Sequence, residues 1–218
     1  KINDHKTFSE FMNTNTKIVL NLLKIISKSK PKHIIYTNSS ALYKQGKNIK
    51  ENSSLGNSPY GLSKYYVGKI LENYSLTNKI YFKNLIIFSV FGKYEPRDRL
   101  ISGAIYNSIN KKRFIVKAPN QIRDYICTFD LVEAIYKSIK LKKSISLNIC
   151  TGIHTETHKI VKKIFRKFSS TKLIKFNKKN YKGEILSELT GNNLLAKKVL
   201  GWKPIYDIER FLNYVKKI

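Results

Sequence analysis

The chain of 218 residues is 42% hydrophobic and carries 42 Lys+Arg against 14 Asp+Glu, a formal net charge of +28. That length and apolar content suffice for one buried core with a smaller lobe and argue against a largely disordered chain. The most apolar window, Ile18 to Ile26, is too short to span a bilayer and is broken by Asn21 and Lys24, and Lys1 to Asn15 lacks the apolar stretch of a secretory signal, so a soluble, cytoplasmic protein without membrane contact is expected.

The charge raises the question of a nucleic acid or another polyanion as partner. Only six of the basic residues are arginine, the side chain suited to bidentate phosphate and base contacts. The lysines run along the whole chain with abundant Asn and Ile, residue types that share AT-rich codons, so a solvated lysine coat is the preferred reading and nucleic acid is not the expected partner. Cys127 and Cys150 each lie in an apolar run, which favours two buried thiols over a disulfide.

In chain order, Thr7 to Ser29 repeats apolar residues at helical spacing, and Lys30-Pro31 ends that helix. His33 to Thr37 is a β-branched and aromatic run expected as a strand buried on both faces. Ser39 to Asn57 is polar and turn-rich, and a surface loop is expected there. Ser58-Pro59 opens a helix to about Tyr74, with serine as N-cap and proline in its first turn. Lys83 to Phe91 reads as one further strand. This order is the grammar of a doubly wound parallel α/β sheet.

After Gly92 come a charged loop, a helix over Leu100 to Asn110, and strands near Phe114 to Val116 and Asp124 to Cys127. Helices Asp130 to Leu141 and Thr155 to Phe168, strands Ser146 to Cys150 and Lys172 to Phe176, and two last helices, Leu194 to Leu200 and Asp207 to Val215, follow. The change of texture after Gly92 therefore sets residues 1–92 apart from 93–218. Trp202 is expected to anchor packing between the last two helices, and His33 to begin the buried strand. His154 and His158 have a spacing that can bind metal, but no third ligand is evident and no metal is expected.

The chemistry rests on Tyr60 and Lys64. Their spacing is weak alone, because it recurs at Tyr43/Lys47, Tyr65/Lys69 and Tyr136/Lys140. Only Tyr60/Lys64 begins an expected helix and follows a strand ending in Ser39-Ser40, and four residues place both side chains on one face. A tyrosine of pKa about 10 is a poor base at neutral pH; a nearby ammonium favours the phenolate and fits it for acid/base work on an alcohol carbon. A serine donor such as Ser39 would hold the substrate oxygen.

The segment Tyr-Thr-Asn-Ser-Ser-Ala-Leu-Tyr from Tyr36, then Glu51, then Ser58-Pro-Tyr-Gly-Leu-Ser-Lys resembles the active-site stretch of the extended short-chain dehydrogenases, the NAD-dependent epimerase/dehydratase family acting on nucleotide sugars. The resemblance continues collinearly through the Asn15 helix, Phe88-Ser-Val-Phe-Gly, Gln121-Ile-Arg-Asp-Tyr-Ile, Asn148-Ile-Cys-Thr-Gly and Leu200-Gly-Trp-Lys-Pro. It implies Tyr60 as acid/base, Lys64 as its electrostatic partner and nicotinamide-ribose ligand, and Ser39 as donor to the substrate hydroxyl. It further implies Asn15, Phe88 and Val90 along the NAD or NADP pocket and Ser40, Ser89, Arg99 and Arg123 toward a nucleotide-sugar substrate. Arg123 would meet the diphosphate; a plain surface arginine is the alternative. A homodimer through the helix carrying Tyr60 and the one before it is also implied, as is a division of the chain into residues 1–92, the C-terminal half of a Rossmann NAD(P)-binding domain, and 93–218, a smaller substrate-binding α/β lobe, with about 123–141 packing back on the first part.

Departures narrow the reaction. Ser40-Ala41 stand where dehydratases of the family carry an Asp-Glu pair, and Ala41 stands where the fucose-forming epimerase/reductases carry cysteine. Epimerisation at the sugar C4 or reduction of a 4-keto sugar remains. None of the ten glycines forms the Gly-x-x-Gly-x-x-Gly turn that receives the pyrophosphate, so the chain is expected to be a fragment or truncated form that lacks the adenine half of the cofactor site. A catalytically silent Rossmann-like module binding RNA or another polyanion is the alternative function.

Overall fold

The structure is a computed structural model that describes residues 7–177 and 188–215. Helix α1 (Phe8–Ser29) starts at a reciprocal cap, in which Glu10 N donates to Thr7 Oγ1 and Thr7 N to Glu10 Oε2. It ends at Lys30, whose φ of 43° is left-handed, just before Pro31. Strand β1 (His33–Ser39) follows, then a single 3-10 turn (Ser40–Leu42), strand β2 (Gly46–Ile49) and helix α2 (Pro59–Thr77), capped by Ser58. Strands β3 (Tyr81–Ile87) and β4 (Ser89–Phe91) lead to α3 (Leu100–Ile109), β5 (Phe114–Val116), β6 (Ile122–Arg123), β7 (Tyr125–Cys127) and α4 (Thr128–Ile139). The remainder is β8 (Ile145–Ile149), β9 (Thr155–Glu156), α5 (Thr157–Lys167), β10 (Ile174–Phe176), β11 (Glu188–Gly191), α6 (Leu194–Leu200) and α7 (Ile208–Val215).

The central sheet runs β1-β3-β8, all parallel, with Ser39 opposite Ile87 and Ile87 opposite Ile149. One face packs under α1 and α2 through Val19, Ile26, Val67 and Leu71 against Ile34 and Phe82. The other face packs under α4 and α6, where Leu85, Leu147 and Ile149 meet Ala134, Ala196 and Trp202. Helices on both faces of a parallel sheet give the α/β, Rossmann-like doubly wound architecture expected from the sequence. A second core gathers α3, α5 and α7 around Ile101, Val116, Val161, Phe165 and Phe211.

Three expectations are corrected. The stretch Lys83 to Phe91 is two strands, because the chain changes partners at its middle: Phe88 N donates to Ile149 O, and the next amide, Ser89 N, to Asp124 O. Residues after that switch pair with β7, so β4 and β7 form a separate parallel pair. The segment Ser39 to Asn57 is not wholly a surface loop. It contributes β2 to a sheet ordered β2-β11-β6-β9, and it buries Tyr43, whose hydroxyl donates to Asn148 Oδ1 at 2.8 Å. Trp202 is buried as expected but anchors onto α4, its indole N–H donating to Asp130 O at 2.9 Å.

Both cysteines are free and buried. Among the described residues no helix is long and apolar enough to cross a membrane.

Candidate functional site

The strand order directs three C-terminal ends toward one place. Ser39 closes β1, Phe88 and Ser89 follow the last residue of β3, and Cys150 follows β8. In a parallel sheet this edge is where a crevice forms and ligands bind. Ser39 Oγ accepts from Ala41 N at 3.2 Å, as cap of the 3-10 turn. Accepting there leaves the hydroxyl proton free to donate outward. Ser40 is buried and its carbonyl accepts from Tyr43 N.

The first turn of α2 is pressed against this edge. A Cβ built on Gly61 would lie 2.0 Å from the carbonyl oxygen of Ala41, so only glycine permits the approach. Tyr60, the residue before, is thereby held beside the turn that Ser39 caps. From the other side, α1 fixes the same residue: the Phe11 ring meets the Tyr60 ring edge-on at 5.6 Å between centroids. Asn15 Nδ2 donates to Ser63 Oγ at 2.9 Å, and Ser63 Oγ donates to Tyr60 O at 2.8 Å.

Lys64 lies one turn further along the same face. Its ammonium sits over the ring of Tyr36, 4.2 Å from the centroid, and the Tyr36 hydroxyl donates to the Lys64 carbonyl at 2.9 Å. Burial lowers the Lys64 pKa from its ordinary value, since a desolvated ammonium is disfavoured. Burial likewise pushes the Tyr36 phenol well up, with the neighbouring Tyr60 adding to the rise.

The remaining residues singled out by sequence fall in several surroundings. Asn15 is half-buried at the joint of α1 and α2. Phe88 is buried beside Tyr43, with ring centroids 6.3 Å apart, and Val90 packs against the core under α4. Ser89 pairs with Tyr125 across β4 and β7, which brings it close to Arg123. Arg123 is partly buried and its Nη1 donates to Ile122 O at 2.8 Å; burial lowers its pKa. Arg99 is exposed at the start of α3. His154 contacts Glu188 and Thr190, whereas His158 contacts Glu156 and Pro119 O.

Four side chains that shape this edge had no role assigned from the sequence, although each lies in a stretch that carries the family resemblance. Tyr36 and Ser63 hold Lys64 and Tyr60 as described. Asn38 Oδ1 accepts from Ser39 N at 2.8 Å, setting the end of β1. Asp124, next to Arg123, is buried and accepts from Thr151 N, Thr151 Oγ1, Gly152 N and Gly191 N. It ties the ends of β8 and β11 to the Arg123 strand.

The profile of the NAD dependent epimerase/dehydratase family matches residues 3–150. Over 110 residues the chain is 28% identical to a CDP-abequose synthase of Yersinia pseudotuberculosis, a match covering 50% of this chain and 38% of that protein, so it spans well under half of that relative's length. Solved structures with the same fold include a dTDP-glucose 4,6-dehydratase of Bacillus anthracis in complex with NAD, at TM-score 0.82 and 20% identity over 94% of this chain and 67% of that one. A UDP-glucose 4-epimerase of Bifidobacterium longum in complex with NAD+ and UDP is similar at TM-score 0.83 and 22% identity, covering 95% and 70% of the two chains. For a UDP-glucose 4-epimerase of Thermotoga maritima with UDP-glucose the values are 0.79 and 19%, over 98% and 75%.

Proposed function

The chain belongs to the NAD dependent epimerase/dehydratase family, and from that premise we propose that it serves an NAD(P)-dependent epimerisation or 4-keto reduction of a nucleotide sugar. The observation that supports this reading is the seating of the first turn of α2, which carries Tyr60 one turn before Lys64, on the turn that follows Ser39 at the C-terminal end of β1, where Gly61 meets Ala41 O.

In this reading Ser39 donates to the sugar hydroxyl oxygen and Tyr60 takes the hydroxyl proton, or returns it in the reductive direction. Lys64 would act as its electrostatic partner and offer donors to ribose hydroxyls. Bound NAD or NADP would supply the acceptor or donor of hydride at the same carbon. The donor set fits the nicotinamide end of that cofactor: a phenol, a half-buried ammonium and a serine at one strand end. Val90 and Phe88 would back the nicotinamide, and Asn15 would hold the α2 turn that faces it. Arg123, with Arg99, Ser89 and Ser40, would receive the nucleotide-sugar part, the guanidinium fork matching a diphosphate. Ser40-Ala41 leave no carboxylate pair beside Ser39, which favours epimerase or reductase over dehydratase chemistry. The extent of the family match, residues 3–150, gives this reading precedence over a polyanion-binding module.

The test is conversion of a panel of UDP-, dTDP- and CDP-hexoses and their 4-keto forms with NAD and with NADP, followed by NMR of the sugar. Inversion at one carbon or reduction of a ketone supports the reading. Loss of water to a 4-keto-6-deoxy sugar contradicts it.

A further inference from the structure

Tyr36 lies inside β1, three residues before Ser39, and reaches Lys64 twice. Its hydroxyl donates to the Lys64 carbonyl at 2.9 Å, and its ring face receives the Lys64 ammonium at 4.2 Å. The ring itself has little freedom. Phe82 on the adjacent strand stacks on it with an interplanar angle of 21° and centroids 6.5 Å apart. On the helix side a Cβ at Gly68 would come within 3.1 Å of Tyr36 Cε1, so Gly68 makes room for the ring under α2.

Lysine has a flexible four-carbon stem and a strongly hydrated head, and in a half-open crevice that head tends toward water. An aromatic face attracts the cation through its quadrupole, more strongly as water is withdrawn. We propose that Tyr36 is a positioning residue for Lys64, its ring face holding the ammonium on the α2 side of the sheet near Tyr60. The assignment rests on the reading of Tyr60 and Lys64 given above only for its catalytic consequence. The contact itself is a property of the free chain.

The experiment follows the acylation of Lys64 in the purified chain by acetic anhydride, read peptide by peptide in a mass spectrometer across pH 7 to 11, with exposed lysines as internal references. Tyr36 is replaced by phenylalanine and by mono-, di- and trifluorinated phenylalanine, a series that keeps the ring's shape while draining its negative face. The expected result is little change for Tyr36→Phe and a stepwise rise in Lys64 labelling with fluorination, reaching about fivefold, while other lysines stay constant. Tyr36→Leu labels at least as fast as the trifluorinated form. Equal labelling across the series overturns the proposal. Where turnover is measurable, Tyr36→Leu lowers kcat with little change in KM and displaces the pH profile, and Tyr36→Phe restores both. If the product of turnover is a dehydrated 4-keto-6-deoxy sugar, the functional reading fails while the labelling series still decides the positioning.

Discussion

Asn15 and Ser63 join the two helices that cover one face of the sheet. The Asn15 amide donates to Ser63 Oγ at 2.9 Å, and that hydroxyl passes its own proton to the Tyr60 carbonyl. Ser63 is fully buried, so neither bond has water as a substitute. Ser63→Ala strands the Asn15 donor and is expected to cost about 1–2 kcal/mol of unfolding free energy. Urea denaturation checks this; an unchanged midpoint would show that the bond does not hold α1 to α2.

The approach of Gly61 to Ala41 O yields a sharper expectation. Alanine at 61 collides with backbone, which cannot rotate away, so Gly61→Ala should cost at least about 2 kcal/mol and push the Tyr60 turn off the sheet edge. Gly46→Ala is the control, because its added Cβ meets nothing nearer than Ile49 Cγ1 at 3.6 Å. Equal thermal stability of the two variants would refute the steric account.

Lys64 gives a pH dependence whose sign is fixed by its environment. Its folded-state pKa lies below the ordinary 10.5 because burial penalises the ammonium. The stabilisation linked to this group is therefore complete above the unfolded value and lost as pH falls through the folded one. Wild-type protein should accordingly gain stability relative to Lys64→Met as pH rises from the lowered folded value to 10.5. Chemical denaturation of both at several pH values measures it, and a difference independent of pH would mean that the ammonium is as well solvated as in the unfolded chain.

The outer face of α1 exposes Ile18, Leu22 and Ile25, spaced four and three residues apart, and α2 exposes Tyr66 and Ile70. Such a stripe suits the homodimer contact implied by the family resemblance. Ile18→Asp with Ile25→Asp is expected to convert a dimer to a monomer in sedimentation velocity. A wild-type monomer, or a dimer indifferent to both changes, would remove this assignment.

Much of this organisation was legible in the chain. The apolar repeat from Thr7 to Ser29, Ser58-Pro59 and the stop at Lys30-Pro31 are local signals, so α1 and α2 could be placed from neighbouring residues alone. The places of Ser39 at the end of β1 and of Tyr60 and Lys64 in the first two turns of α2 were legible for the same reason. What stayed hidden depends on distant partners. Residues 46–49 become a strand only because residues 188–191 lie beside them, and Phe88 splits a continuous apolar run because its neighbours bond to β8 and β7 in turn. Tyr36 looks like one more strand aromatic until α2 brings Lys64 over it.

In the proposed function Tyr60 is the group that moves the substrate proton. The most direct measurement is the turnover of Tyr60→Phe on the nucleotide sugar that the wild-type protein converts, with substrate affinity and melting temperature measured alongside. Loss of at least about 100-fold in kcat, at unchanged affinity and stability, is the predicted result. Turnover within a few fold of wild type would contradict it.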